Sequence, residues 1–79
     1  MTDQIPRGTR ADAEANGISY LFKNTCTLRL TYQIRLLTFF AIEAGQVLVI
    51  QVPTRCRIAP PLRAFAECYH QNLRIDQVI

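Results

Sequence analysis

The chain contains a single lysine, a single histidine, one methionine and no tryptophan. With only His70, it has no material for a metal site built on paired histidines. The three cysteines, Cys26, Cys56 and Cys68, are an odd number at no zinc-motif spacing, which excludes a four-cysteine metal knot and a fully paired disulfide framework. They are expected to be free, mostly buried thiols in a reducing, cytoplasmic compartment. Long apolar runs are also missing. The longest, "LLTFFAIEA" and "VLVI", fall far short of the roughly 20 residues that cross a bilayer, so no membrane partner is expected. The opening "MTDQIPRGTR" has no apolar core of the kind a secretory signal carries. Because lysine is nearly absent, the net charge of +3 comes from arginine. That excess is compatible with a polyanionic partner and too small to establish one.

What the chain does have is apolar density. At 79 residues with 49% hydrophobic and 19% charged side chains, it specifies one small packed domain. Residues 1–17 hold Pro6, Gly8, Asn16 and Gly17 and read as an irregular N-terminal segment, with "ADAEA" able to form one helical turn. The domain proper spans residues 18–79. In "GISYLFKN", Ile18, Tyr20 and Phe22 alternate with Ser19, Leu21 and Lys23, which is the period of a strand. Thr27 or Thr31 can cap a following helix, 31–44, in which Ile34, Leu37, Ala41 and Ala44 recur at helical spacing. Leu36 and Phe40 widen that stripe, and Gly45 stands where a terminating glycine would.

"QVLVIQVP" reads as a strand buried on both faces, closed by Pro53. Pro60 and Pro61 open a second helix whose apolar side is Leu62, Phe65, Ala66 and Tyr69, and "LRIDQVI" supplies a closing strand. The order strand, helix, strand, helix, strand predicts an α/β fold with a small three-stranded, largely parallel sheet and two crossover helices. Helix 31–44 is apolar over more of its circumference than one packed side needs. Its surplus predicts a second covered side or an oligomer interface.

Taken together, "QIP", "FKN", "TYQIRLLTFFAIEAGQVLVIQVP" and "RIAPPLRAF" resemble the restriction-endonuclease-like toxin domains of the bacterial PD-(D/E)xK nuclease superfamily. The resemblance covers roughly residues 4–79 and implies a restriction-endonuclease-like core. Such domains carry an acid, any residue, then lysine on one strand, so that carboxylate and ammonium share a face. Two carboxylates hold Mg²⁺ on the scissile phosphate and the lysine stabilises developing charge. By this resemblance Lys23 matches the motif lysine, Asn24 the residue after it, Gln33 the helix glutamine facing the site, and Arg35 its neighbouring arginine. The acids do not match. Leu21 stands at the strand-carboxylate position and Arg7 at the aspartate after "QIP". The resemblance therefore implies a degenerate nuclease-like domain, a pseudoenzyme with no metal and no other cofactor. It would keep DNA contact with little or no cleavage, and a cognate immunity-type protein is a possible partner.

Two alternatives stay open. One is a protein-interaction or immunity-type module that dimerises through helix 31–44. The other is an active DNase using Mg²⁺ with Asp12 or Glu14 as a non-standard acid. Lys23 also reads as a strand-end lysine reaching solvent, and Gln33 as a satisfied buried amide. Arg29, Arg35, Arg55, Arg57 and Arg63 read as surface charges or as a phosphate-contacting set. Arg55 and Arg57 are the strongest of these, in the loop before the second helix. His70 reads as a helix-end cation, and no cysteine has a partnering histidine and acid for thiol catalysis.

Overall fold

The computed structural model describes residues 13–78. Strand β1 (Ala13–Ala15) turns through Asn16 and Gly17 into β2 (Ile18–Phe22); β3 (Thr27–Leu28) follows, then helix α1 (Tyr32–Ala44) and β4 (Val47–Val52). The chain continues through β5 (Arg57–Ile58) and helix α2 (Pro60–Cys68) to β6 (Leu73–Gln77). The main sheet has the order β1-β2-β4-β6, and β3 pairs with β5 in a separate two-stranded ribbon.

The three strands read from the sequence are present, and β2-β4 and β4-β6 both pair in parallel. The sheet nevertheless has four strands and is mixed, because β1 joins β2 antiparallel. Its hairpin turn uses positive φ at two consecutive residues, Asn16 (53°) and Gly17 (79°), the backbone that Asn-Gly favours in a two-residue turn. Ala13–Ala15 is thus a strand rather than part of an irregular segment or helical turn. The two-residue ribbon was too short to leave a periodic signal in the sequence.

Both crossovers pass on the same side. Ile34, Leu37 and Ala41 of α1 and Leu62 of α2 form one buried cluster with Leu21 of β2, Leu48, Ile50 and Val52 of β4, and Leu73 of β6. Two right-handed crossovers stepping in one direction across a sheet place both helices on one face. Alternation along β4 therefore sends Leu48, Ile50 and Val52 to the helices and Val47, Val49 and Gln51 to the other face.

Helix α1 starts and stops as its sequence indicates. Thr31 is the N-cap, its Oγ1 accepting from the Ile34 N–H at 3.2 Å. Gly45 ends the helix with φ 68°, and the Gln46 N–H donates to the Ala41 carbonyl at 2.8 Å. Buried Thr38 satisfies its hydroxyl by donating to the Ile34 carbonyl at 2.7 Å. Ala44, expected on the apolar side, is exposed. The second helix ends at Cys68, so Asn72 lies beyond it; its Nδ2 donates to the Gln46 carbonyl at 2.8 Å and ties the start of β6 to the start of β4. Of the three free cysteines only Cys56 is buried; Cys26 and Cys68 are exposed, contrary to the expectation of mostly buried thiols. No helix among the described residues is long and apolar enough to cross a membrane.

Candidate nucleic-acid interface

The parallel strands β2, β4 and β6 all end at one edge of the domain, and both helices begin there. Ligands of open α/β sheets sit outside this carboxyl edge, in the loops after the strands. Here those loops are built from residues 23–31 and 53–59. A turn closes the second loop, the Cys56 N–H donating to the Pro53 carbonyl at 3.0 Å. Gln77 brackets it from β6, with Nε2 donating to the carbonyls of Thr54 at 3.2 Å and Cys56 at 2.7 Å. Arg55 is carried between these two anchor points. The ribbon fixes the other side: the Arg57 N–H donates to the Cys26 carbonyl at 2.8 Å and the Ala59 N–H to the Leu28 carbonyl at 2.9 Å.

Two crevices flank this loop. The first, of about 640 Å³, brings Lys23 and Asn24 together with Phe22, Gln51, Thr54, Arg55 and Val78. The second, of about 830 Å³, gathers Arg29, Arg57 and Arg63 around the start of α2. Pro60 and Pro61 lack N–H groups, so anion capture in the second crevice must come mainly from the guanidinium groups. Lys23 and Arg55 therefore line one crevice, whereas Arg57 lines the neighbouring one. Arg35 lines a third, apolar groove with Tyr32, Phe39, Phe65 and Tyr69 on the outer side of the helices. Gln33 is half-buried in the first turn of α1.

Leu21 and Lys23 fall on the same side of β2 by alternation, and the Lys23 N–H extends the ladder by donating to the Gln51 carbonyl at 3.0 Å. Leu21 is only 1% exposed and belongs to the core cluster. A hard cation could not reach it. Glu14 pairs in register with Ser19, four residues back from Lys23, or about 13 Å along a strand. That separation keeps Glu14 from sharing a metal with groups at the carboxyl edge. Asp12 and Arg7 lie outside the described residues. Among the described residues, no three His, Cys, Asp or Glu side chains are grouped to hold a metal ion.

The charges are segregated by helix direction. Arg35 and Arg63 are each the fourth residue of their helix, and Glu43 and Glu67 are each the penultimate residue. Neither helix has an acid in its first turn or a base in its last. A helix is stabilised by the reverse arrangement, at about 0.3–1 kcal/mol per charge. The result is a carboxyl edge carrying Lys23, Arg29, Arg35, Arg55, Arg57 and Arg63 and an opposite end carrying Glu43 and Glu67. Asp76 lies near the cationic edge, but its carboxylate is held by the Arg74 guanidinium through bonds of 3.0 and 3.2 Å. Gln77 as the loop's anchor becomes visible only once the strands are parallel and in register.

Comparison with known proteins finds no matching family model, curated protein or solved structure.

Proposed function

We propose that this domain is a nucleic-acid-contacting module that holds phosphates at the carboxyl edge of its sheet and has little or no cleavage activity. Its resemblance to PD-(D/E)xK toxin domains that have lost their acids fits this reading. The observation that carries it is the inverted charge placement on both helices. Four charges oppose the helix dipoles, and the two arginines among them, Arg35 and Arg63, add to the cations near the helix N-termini, where a phosphate chain would lie. Phosphate binding releases counterions, so the affinity for DNA should fall with salt at a slope near −0.9 per phosphate neutralised.

The test exploits the conflict between stability and binding. Arg63→Glu should stabilise the free domain by about 0.3–1 kcal/mol at low salt, because it removes an unfavourable helix charge. The same change should weaken DNA binding. Replacing Arg55 and Arg57 together with alanine should lower the salt slope by about two units, measured by fluorescence anisotropy on labelled DNA. Plasmid should stay intact with Mg²⁺ present. Absence of binding at low ionic strength, or metal-dependent nicking lost on Glu14→Ala, would overturn the proposal.

A second reading has its own support. Tyr32 (69% exposed), Phe39 (55%) and Ile42 (39%) leave the outer side of α1 apolar, continuous with Phe65 and Tyr69 of α2. This is the surplus seen in the sequence, and a patch of this kind marks a protein contact. Arg35 and Glu43 flank Phe39 at four residues on either side. Two antiparallel copies of α1 crossing at Phe39 would thus set Arg35 of each opposite Glu43 of the other, the self-complementarity of a two-fold interface. Dimerisation through α1 would engage Arg35 but none of the residues that line the two carboxyl-edge crevices.

A further inference from the structure

Strand β6 ends the main sheet, and among the described residues no strand pairs with its outer edge. The ladder to β4 fixes which backbone groups point there. The Leu48 N–H donates to the Asn72 carbonyl at 2.8 Å, and the Val78 N–H to the Val52 carbonyl at 2.7 Å. Backbone groups of successive strand residues point to opposite sides, so Arg74 and Asp76 serve β4 while Leu73, Ile75 and Gln77 turn outward. The Leu73 N–H is taken by the Tyr69 carbonyl at 2.8 Å. Ile75 and Gln77 therefore present both of their backbone groups along the edge. A crevice of about 360 Å³ lies beside them, lined by these two residues together with Ile58 of β5 and Ala66 and Glu67 of α2. Such an edge accepts an extended strand, and proteins guard it with proline, bulges or charges. Over Leu73–Gln77 there is no proline, the pairing with β4 has no bulge, and the two charges, Arg74 and Asp76, are of opposite sign.

We infer that the edge of β6 receives β6 of a second copy of this chain, antiparallel and centred on Ile75, joining two sheets into one across a two-fold axis. Centring on Ile75 sets Ile75 opposite Ile75 of the other copy and Leu73 opposite Gln77. These are the residues whose backbone groups point outward, as the hydrogen-bonded positions of an antiparallel ladder require. The same register places Arg74 of each copy opposite Asp76 of the other, at the closely spaced positions where side chains interact most. Within one chain Arg74 and Asp76 already pair at 3.0 Å, using two of the guanidinium N–H groups. The Arg74 side chain is 59% exposed, and its remaining donors can take a second carboxylate. Charge also selects the register. A slip of two residues in either direction sets Arg74 against Arg74 or Asp76 against Asp76, and like charges directly opposite are destabilising. The inference does not rest on the proposed phosphate-binding edge, and it uses a surface separate from the outer side of α1.

Amide exchange of the full chain, followed residue by residue over a concentration series, tests the pairing directly. The Ile75 and Gln77 amides should slow most as concentration rises, while those of Arg74 and Asp76, already bonded to β4, change little. Arg74→Asp and Asp76→Arg should each weaken self-association on the order of tenfold in sedimentation measurements, because like charges then face each other. Mixed together, the two variants should form a heterodimer about as tight as the unmodified pair, since every acid again faces a base. The exchange series needs no variant and decides the matter by itself if either substitution unfolds the chain. Exchange at Ile75 and Gln77 that is independent of concentration would overturn the inference. So would a mixture of the variants that associates no better than either alone. Self-association abolished by Phe39→Asp and indifferent to Arg74→Asp would also overturn it and assign the contact to α1.

Discussion

Leu21 and Phe22 are neighbours in the chain and belong to different molecules in all but covalent terms. Leu21 is 1% exposed in the helix-covered core, and Phe22 is 51% exposed on the opposite face of the same strand. One face is closed by Ile34, Leu37, Ala41 and Leu62 and carries the stability of the domain. The other holds paired rings and a neutralised ion pair beside a cationic rim. In a chain this short, where a single core is barely sufficient, apolar surface left outside that core is costly.

The largest effect expected from this difference is at Leu21. Replacing it with glutamate restores, in name, the acid that the nuclease resemblance asks for. The side chain would however be placed among Ile50, Leu48 and the helix residues rather than at a solvated metal site. A buried, unpaired carboxylate costs about 3–5 kcal/mol, a large share of the 5–15 kcal/mol that stabilises a typical domain. Leu21→Glu should unfold or nearly unfold the chain in urea titrations, with Mg²⁺ giving no recovery. A folded variant that gains stability from Mg²⁺ would mean that Leu21 stands at a genuine relic of a metal site.

Much of this architecture was legible beforehand, and the part that was not has physical causes. The alternation in residues 18–23, the Thr31 cap, Gly45 and the β-branched run of β4 each act through their own backbone, so local sequence announces them. The hairpin strand β1 consists of Ala13, Glu14 and Ala15, all poor strand formers, and exists because an Asn-Gly turn lays it along β2. The ribbon of β3 and β5 is two residues long and depends on two loops meeting in space. At the candidate site, Lys23 and Arg55 were both singled out from the sequence, yet their place in one crevice depends on the parallel pairing of β2 with β4. That Arg57 and Arg35 part from them could not be read from spacing. The expectation that β4 is buried on both faces holds at Leu48, Val49 and Ile50, which are all fully buried.

The helices repeat the contrast between faces on a smaller scale. The inner side of α1 buries Ile34, Leu37, Thr38 and Ala41, and the outer side exposes Tyr32, Phe39 and Ile42. If two copies meet there, Phe39 is the central anchor. Phe39→Asp should then weaken self-association by about 2 kcal/mol, roughly thirtyfold, in sedimentation measurements while leaving the melting temperature of the monomer unchanged. Arg35→Glu alone should weaken the dimer, and combining it with Glu43→Arg should restore it. A chain that stays monomeric at millimolar concentration would confine the outer groove to contacts with other proteins.

The smallest effect is expected at Phe22. Substitution by alanine removes the stack with Tyr20, worth about 0.5–1.5 kcal/mol in favourable pairs, and little buried area because half of the side chain already faces water. Phe22→Ala should therefore shift the urea midpoint by an amount equivalent to about 1 kcal/mol or less, well below the 2–5 kcal/mol expected of Leu21→Ala one residue earlier. The contrast between these two neighbours measures how differently the two faces of β2 are packed. Were Phe22→Ala to cost as much as Leu21→Ala, the contacts of the ring would carry the weight of a core side chain. A cost that grows with protein concentration would assign part of that packing to a second copy.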